Sequence, residues 1–246
     1  MKINEALRIG NKSAVAFVGA GGKTTAMFNL AREFDFPSII TTTTNMGLEQ
    51  ITLGDKHINL NGDLPDGSDF SDEKVTVVTD RMNANRSRWQ GLDDLQISRL
   101  RNVAGVLSRA LLIEADGAKT LPLKAPGEDE PIIPDFVDQV IVIAGLGAVG
   151  NFLDEGNVFR PALYSELSGE EQNKPVSLES IARMLVTSMG GLKGIPENAK
   201  RTAILNHADL VPLNDSELAM FRNYLIKHYH EAYIGSLHEG WLLGLY

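Results

Sequence analysis

The chain has 246 residues, 43% of them hydrophobic and 22% charged, enough to bury a substantial core within one large domain. Lys and Arg total 23 against 32 Asp and Glu, a formal charge of -9, so the surface repels phosphate backbones and nucleic acid is not expected as a partner. The absence of cysteine excludes disulfides, thiolate nucleophiles and zinc–thiolate sites, and a cytoplasmic location is expected.

Ala14 to Val18 is a short apolar run stopped by glycines, the pattern of a buried parallel strand. Met27, Leu30, Ala31 and Phe34 then recur at helical spacing, and Ser38 to Thr41 reads as a second strand. Turn signals at Asn61-Gly62-Asp63 and Pro65-Asp66-Gly67 punctuate a segment with room for a hairpin around His57 to Leu60. Residues 45–93 are therefore expected to form an irregular insertion, interrupted by a strand from Lys74 to Thr79. Leu100, Val103, Ala104 and Leu107 give one face of a helix, and Leu111 to Ile113 and Val140 to Ile143 are buried strands. The run from Val140 to Gly150 is far short of the ~20 apolar residues a bilayer span needs, so no membrane partner is expected.

Ser177 can cap a helix whose apolar face is Ile181, Met184 and Leu185, with Gly190-Gly191 beyond its end. After a strand at Ala203 to Leu205, Asn214 and Glu217 form a capping-box start for a helix through Met220, Tyr224 and Ile226. A last strand lies near Ala232 to Ile234. This alternation predicts one α/β domain over residues 1–246, a doubly wound, mainly parallel sheet of P-loop NTPase type with helices on both faces.

The strongest motif is Gly19-Ala20-Gly21-Gly22-Lys23-Thr24-Thr25, between the first strand and the first long helix. Phosphate binding needs inward-facing backbone amides, small residues and a helix N-terminus behind them. Lys23 would reach the outer phosphates of ATP or GTP, and the Thr24 hydroxyl would coordinate Mg²⁺. The full Walker pattern requires a glycine where Phe17 stands, so this loop is two residues short and resembles that of the Mur-ligase ATPases. The competing reading is a plain glycine-rich turn.

A metal-organising acid should close a neighbouring strand, and Leu111-Leu112-Ile113-Glu114-Ala115-Asp116-Gly117 offers two. Either Glu114 or Asp116 could hold Mg²⁺ while the other orients a nucleophile. Thr41 to Thr44 place hydroxyls at the carboxyl edge of the sheet, which makes Thr43 and Thr44 candidate substrate contacts, although β propensity alone also explains them. Asn206-His207-Ala208-Asp209 resembles the N-K-x-D element of GTPases, with histidine in place of lysine; Asn206 and Asp209 are candidate base contacts. Gly145 to Gly150 fits G-x-G-x-x-G, but Asn151 to Gly156 and Pro161 read as loop rather than the amphipathic helix of a dinucleotide site. Lys119, Lys124 and Arg160 are candidate anion-binding cations near the acidic pair.

The order of these blocks, G-A-G-G-K-T-T, T-T-T-T-N-M, L-L-I-E-A-D-G-A-K-T-L-P-L-K-A-P, E-P-I-I-P, G-L-G-A-V-G, V-F-R and L-N-H-A-D, resembles the YqeC family. The stretch from Glu114 to Pro126, with Glu130-Pro131 and Pro134 after it, carries most of the likeness. The resemblance implies an NTP-binding accessory protein for selenium-dependent molybdenum hydroxylases, with a hydroxylase or its maturation proteins as partner. Phe159 stands where histidine is expected, which removes a metal or proton-transfer role there. Two alternatives stay open: an NTP-dependent transferase or ligase activating a small acid or selenium species, and a nucleotide-gated chaperone with little turnover.

Overall fold

A computed structural model describes residues 1–83 and 88–245. The first part of the chain holds α1 (Ile3–Leu7), β1 (Ala14–Gly19), α2 (Lys23–Glu33), β2 (Ser38–Thr42), β3 (Asn45–Gly47), α3 (Leu48–Ile51) and β4 (Lys56–Asn59). It continues with β5 (Val75–Thr79), β6 (Met82–Asn83), β7 (Arg88–Gln90), α4 (Asp94–Val106), β8 (Ala110–Glu114), β9 (Leu123–Lys124) and β10 (Gln139–Gly145). Last come β11 (Val158–Phe159), α5 (Pro161–Ser168), α6 (Leu178–Val186), β12 (Lys200–Asn206), α7 (Asp215–Leu225), β13 (Glu231–Ser236) and β14 (Trp241–Gly244).

Nine strands form the main sheet in the order β14-β13-β12-β10-β1-β8-β2-β5-β4. Every neighbouring pair is parallel except β13 and β14. Alternate residues of each central strand enter opposite cores, as the two-residue period of a pleated strand requires. Ala14, Ala16 and Val18 of β1 pack with Leu111 and Ile113 of β8 in the core covered by α4, α5, α6 and α7. Val15 and Phe17 join Leu112 and Ile141 in the opposite core, under α1 and α2. Both faces are covered, which is why these strands read as continuous apolar runs.

The chain leaves β1 for β2 on one side and leaves β10 for β12 on the other. Connections diverge at the carboxyl ends of β1 and β10, where an open α/β sheet leaves a crevice. The glycine loop is one wall of that crevice.

The apolar runs predicted as strands are strands, and the predicted caps cap: Ser177 accepts from the Ser180 amide, and Asn214 accepts from the Ser216 and Glu217 amides. Other expectations are corrected. Lys56 to Asn59 is no hairpin; it is an edge strand parallel to β5, with His57 in register with Val77. Residues 45–93 are therefore not irregular as a whole, since β4 and β5 extend the main sheet and β3, β7 and β6 form a small antiparallel one. Leu107 and Ile226 are exposed C-cap residues, not part of the apolar faces assigned to them. Pro161 opens a helix at a position where its missing N–H costs nothing.

Asn214 supplies acceptors to two otherwise unpaired amides at the start of α7. Asn214→Ala is expected to cost about 1 kcal/mol, seen as a lower urea midpoint at unchanged slope.

Candidate functional site

The loop after β1 is built from backbone conformations that favour glycine. Gly19, Gly21 and Gly22 have φ of 92°, 78° and 129°. A side chain at Gly21 would also lie 2.6 Å from the Pro122 carbonyl oxygen and 2.7 Å from Gly145 Cα. The loop is fastened from outside: the Ala20 amide donates to the Ile143 carbonyl at 2.9 Å and the Gly21 amide to that of Leu121 at 3.1 Å. Asn206, on β12, donates from Nδ2 to the Gly21 carbonyl at 2.6 Å and accepts the Leu237 amide at Oδ1 at 2.8 Å.

Amides from Gly19 to Lys23 were expected to face phosphate, and the structure divides them. The Gly19 amide donates to Asp116 Oδ2 at 2.9 Å, so Gly19, Ala20 and Gly21 are all engaged within the protein. The first intrahelical bond runs from Ala26 to Gly22, which leaves the amides of Lys23, Thr24 and Thr25 in the first turn, where a helix has no partners of its own. No side chain caps this helix.

Lys23 is 5% exposed. Its Nζ donates to the Gly19 carbonyl at 2.6 Å and lies 2.9 Å from Asp116 Oδ1 and 3.8 Å from Glu114 Oε1. Burial works against its charge, but the two carboxylates prevail and hold its pKa above that of an ordinary lysine. The Thr24 hydroxyl lies 3.5 Å from Glu114 Oε2 and accepts from Gln50 Nε2 at 2.7 Å. Burial, opposed by Lys23 and reinforced by Asp116, lifts the Glu114 carboxyl above its usual value.

The two acids after β8 are thus placed differently. Glu114 lines an open cleft of about 830 Å³ together with Gly22, Lys23, Thr24 and Thr25. Asp116, 2% exposed, faces a small chamber beneath the loop and is held by Gly19, Lys23 and Lys124. Among the described residues no group of three or more His, Asp or Glu could hold a metal ion by itself. A cation at Thr24 and Glu114 would therefore draw its other ligands from phosphate and water, as Mg²⁺ characteristically does.

Two of the three expected anion-binding cations point inward. Lys124 is 6% exposed and lies 3.0 Å from Asp116 Oδ2 and 2.7 Å from Glu130 Oε2. Arg160 Nη1 donates to the same Glu130 oxygen at 2.8 Å and stacks its guanidinium 4.2 Å from the Phe159 ring centre. Burial pushes the Glu130 carboxyl up, but hydrogen bonds from Arg160 and Lys124 overcome it and bring its pKa down to about 2. Only Lys119 of the three lines the cleft, with its ammonium 4.8 Å from the Phe159 ring centre.

Of the candidate threonines, Thr44 lines the cleft, whereas Thr43 turns its hydroxyl to the Ile132 carbonyl at 2.9 Å. Asn206 is a buried staple of the loop, and Asp209 is exposed and does not line the cleft. His207 and Leu210 line it instead. Burial, opposed by Asp209, lowers the His207 pKa, and its Nδ1 has no hydrogen-bond partner among the described residues. The G-x-G-x-x-G element makes a single 3₁₀ turn at Leu146–Ala148 that packs Gly145 and Gly147 against the His207 ring, with no helix of the kind a dinucleotide site uses. Glu130, Gln50 and Arg88 also line the cleft, and none of them is signalled by its sequence: an acid before a proline, a glutamine in a polar segment and an isolated arginine carry no spacing signal.

The molecule is thus an α/β protein with a mainly parallel sheet and an open cleft at the crevice where its connections diverge. Its sequence matches the YqeC protein family over residues 15–162, and the chain belongs to that family. It is 29% identical over 197 residues to the uncharacterized protein YqeC of Escherichia coli (strain K12), an alignment covering 79% of this chain and 75% of that protein. No solved structure matches.

Asn206→Ala leaves the buried Leu237 amide without its acceptor and is expected to cost about 1–3 kcal/mol in urea unfolding. Because the folded-state pKa of Glu130 is about 2 against an ordinary 4.5, its ion pairs stabilise the fold above pH 4.5 and stop doing so as pH falls toward 2. Thermal melts of wild type and Glu130→Gln should differ most at neutral pH, and the difference should shrink progressively as pH falls from about 4.5 toward about 2.

Proposed function

We propose that the cleft binds a nucleoside triphosphate with Mg²⁺ and hydrolyses it, and that the fold is of P-loop NTPase type. The observation that carries this reading is the uncapped start of α2, with Lys23 in its first turn and the Thr24 and Glu114 oxygens 3.5 Å apart on the same cleft wall. Free first-turn amides and a helix dipole favour a phosphate group at that spot, and Lys23 adds a formal charge. Thr24 and Glu114 would hold Mg²⁺, which when bound neutralises phosphate oxygens. Asp116 acts through Lys23 and the Gly19 amide, as a positioning residue. Hydrolysis joins a water oxygen to the terminal phosphorus and leaves the bridging oxygen on the diphosphate.

The base is ATP's or GTP's; His207 and Leu210 line the cleft beyond the loop and are better placed to touch it than Asp209. The biological setting we infer is the one the family resemblance implied, maturation of selenium-dependent molybdenum hydroxylases with a hydroxylase or its maturation proteins as partner. A second reading, transfer of the phosphoryl group to a small acid or selenium species, is favoured by Lys119, a cleft-lining cation with no carboxylate partner among the described residues. Turnover that needs an added acceptor separates transfer from hydrolysis.

Titration with ATP, GTP and their diphosphates in the presence of Mg²⁺ tests the assignment. Wild type should bind at least one triphosphate, Lys23→Ala should lose roughly tenfold or more in affinity, and Glu114→Gln should abolish the Mg²⁺ dependence. Equal binding by wild type and Lys23→Ala, or no binding by either, rejects it.

A further inference from the structure

We infer that Arg88 is a catalytic residue of this site, delivered to the terminal phosphoryl group by the small antiparallel sheet. The inference rests on the nucleotide reading above and adds a role for a residue outside every motif.

Strand alternation sets the direction of the side chain. Met46 on β3 is fully buried, and its cross-strand partner Trp89 on β7 packs against the same core that covers α2. Arg88 and its partner Gly47 therefore belong to the opposite face of this sheet, as does Asn45. Arg88 and Asn45 both line the cleft, with Thr24 and Glu114.

A short chain of contacts ties that face to the metal-side hydroxyl. Gln50 donates from Nε2 to Thr24 Oγ1 at 2.7 Å and accepts the Gly47 amide at Oε1 at 2.8 Å. Gly47 is in register with Arg88. Two hydrogen bonds and one strand pairing thus link the Arg88 backbone to Thr24, and both residues line the same cleft.

Arg88 is also available. Lys23 is paired with Asp116, and Lys124 and Arg160 with Glu130, whereas Arg88 is exposed and has no carboxylate partner among the described residues. A guanidinium matches the fork of two phosphate oxygens and keeps its charge at every relevant pH. Placed over the terminal phosphoryl group, it neutralises the charge that accumulates there as the bridging bond to the diphosphate breaks.

The test compares wild type, Arg88→Ala, Arg88→Lys and Lys23→Ala for affinity toward ATP, GTP and their diphosphates with Mg²⁺, and for turnover. Arg88→Ala should narrow the preference for triphosphate over diphosphate by roughly tenfold and lower kcat by about a hundredfold or more, with diphosphate affinity little changed. Arg88→Lys should recover part of both. Lys23→Ala should weaken both ligands. A triphosphate preference and kcat in Arg88→Ala equal to those of wild type overturn the assignment while leaving the nucleotide reading intact. Failure of wild type to bind any nucleotide overturns both.

Discussion

An ammonium group sealed from water beside the mouth of a helix is tenable only if a carboxylate accompanies it. Lys23 meets that condition through Asp116 at 2.9 Å, and Asp116 in turn needs more than one cation and one amide around it. The charges continue in alternation through Lys124, Glu130 and Arg160 until they reach a side chain that is partly in solvent. Elements far apart in sequence are joined by this series: the loop after β1, the end of β8, β9 and the start of α5. Removing Asp116 would leave the buried Lys23 with only the more distant Glu114 as a carboxylate partner.

Backbone proximity does the remainder. Gly19 approaches the Ile143 carbonyl so closely that a Cβ would sit 2.1 Å from its oxygen, and Gly22 is overlain by the Asn206 amide. The loop is consequently a fixed piece of the sheet's carboxyl edge, gripped from β10, from β12 and from the segment before β9. Of the loop and the helix that follows it, Gly21 to Thr25 line the cleft.

Much of this was legible in the residues themselves. Apolar runs such as Ala14 to Val18 and Val140 to Ile143 announce strands buried on two faces, and Ser177 and Asn214 announce helix starts, because these signals are local. The glycine loop and the acid after β8 stand out for the same reason, since strand, turn and helix signals are local. What escaped notice depends on contacts distant in sequence. Lys124 and Arg160 look like surface cations until Glu130 is brought between them. Asp116 and Glu114, two residues apart, have different surroundings because one faces the chamber under the loop and the other the cleft. Asn206 resembles a base-reading residue in a four-letter motif and proves to be a brace. Lys56 to Asn59 has the composition of a strand but nothing in it names its partner, so a hairpin and a parallel edge were equally compatible with it.

β1 is hydrogen-bonded along both sides and packed on both faces, whereas β3, β6 and β7 form a separate small sheet whose contacts with the rest include the buried Met46 and the Trp89 ring against His57. Regions anchored so differently are expected to open with different free energies. Amide hydrogens in β1, paired on both sides, are expected to exchange with solvent only through the larger openings. Those of the small sheet can exchange through a local opening that leaves the central strands intact, so one wall of the cleft can come away while the opposite wall stays fixed.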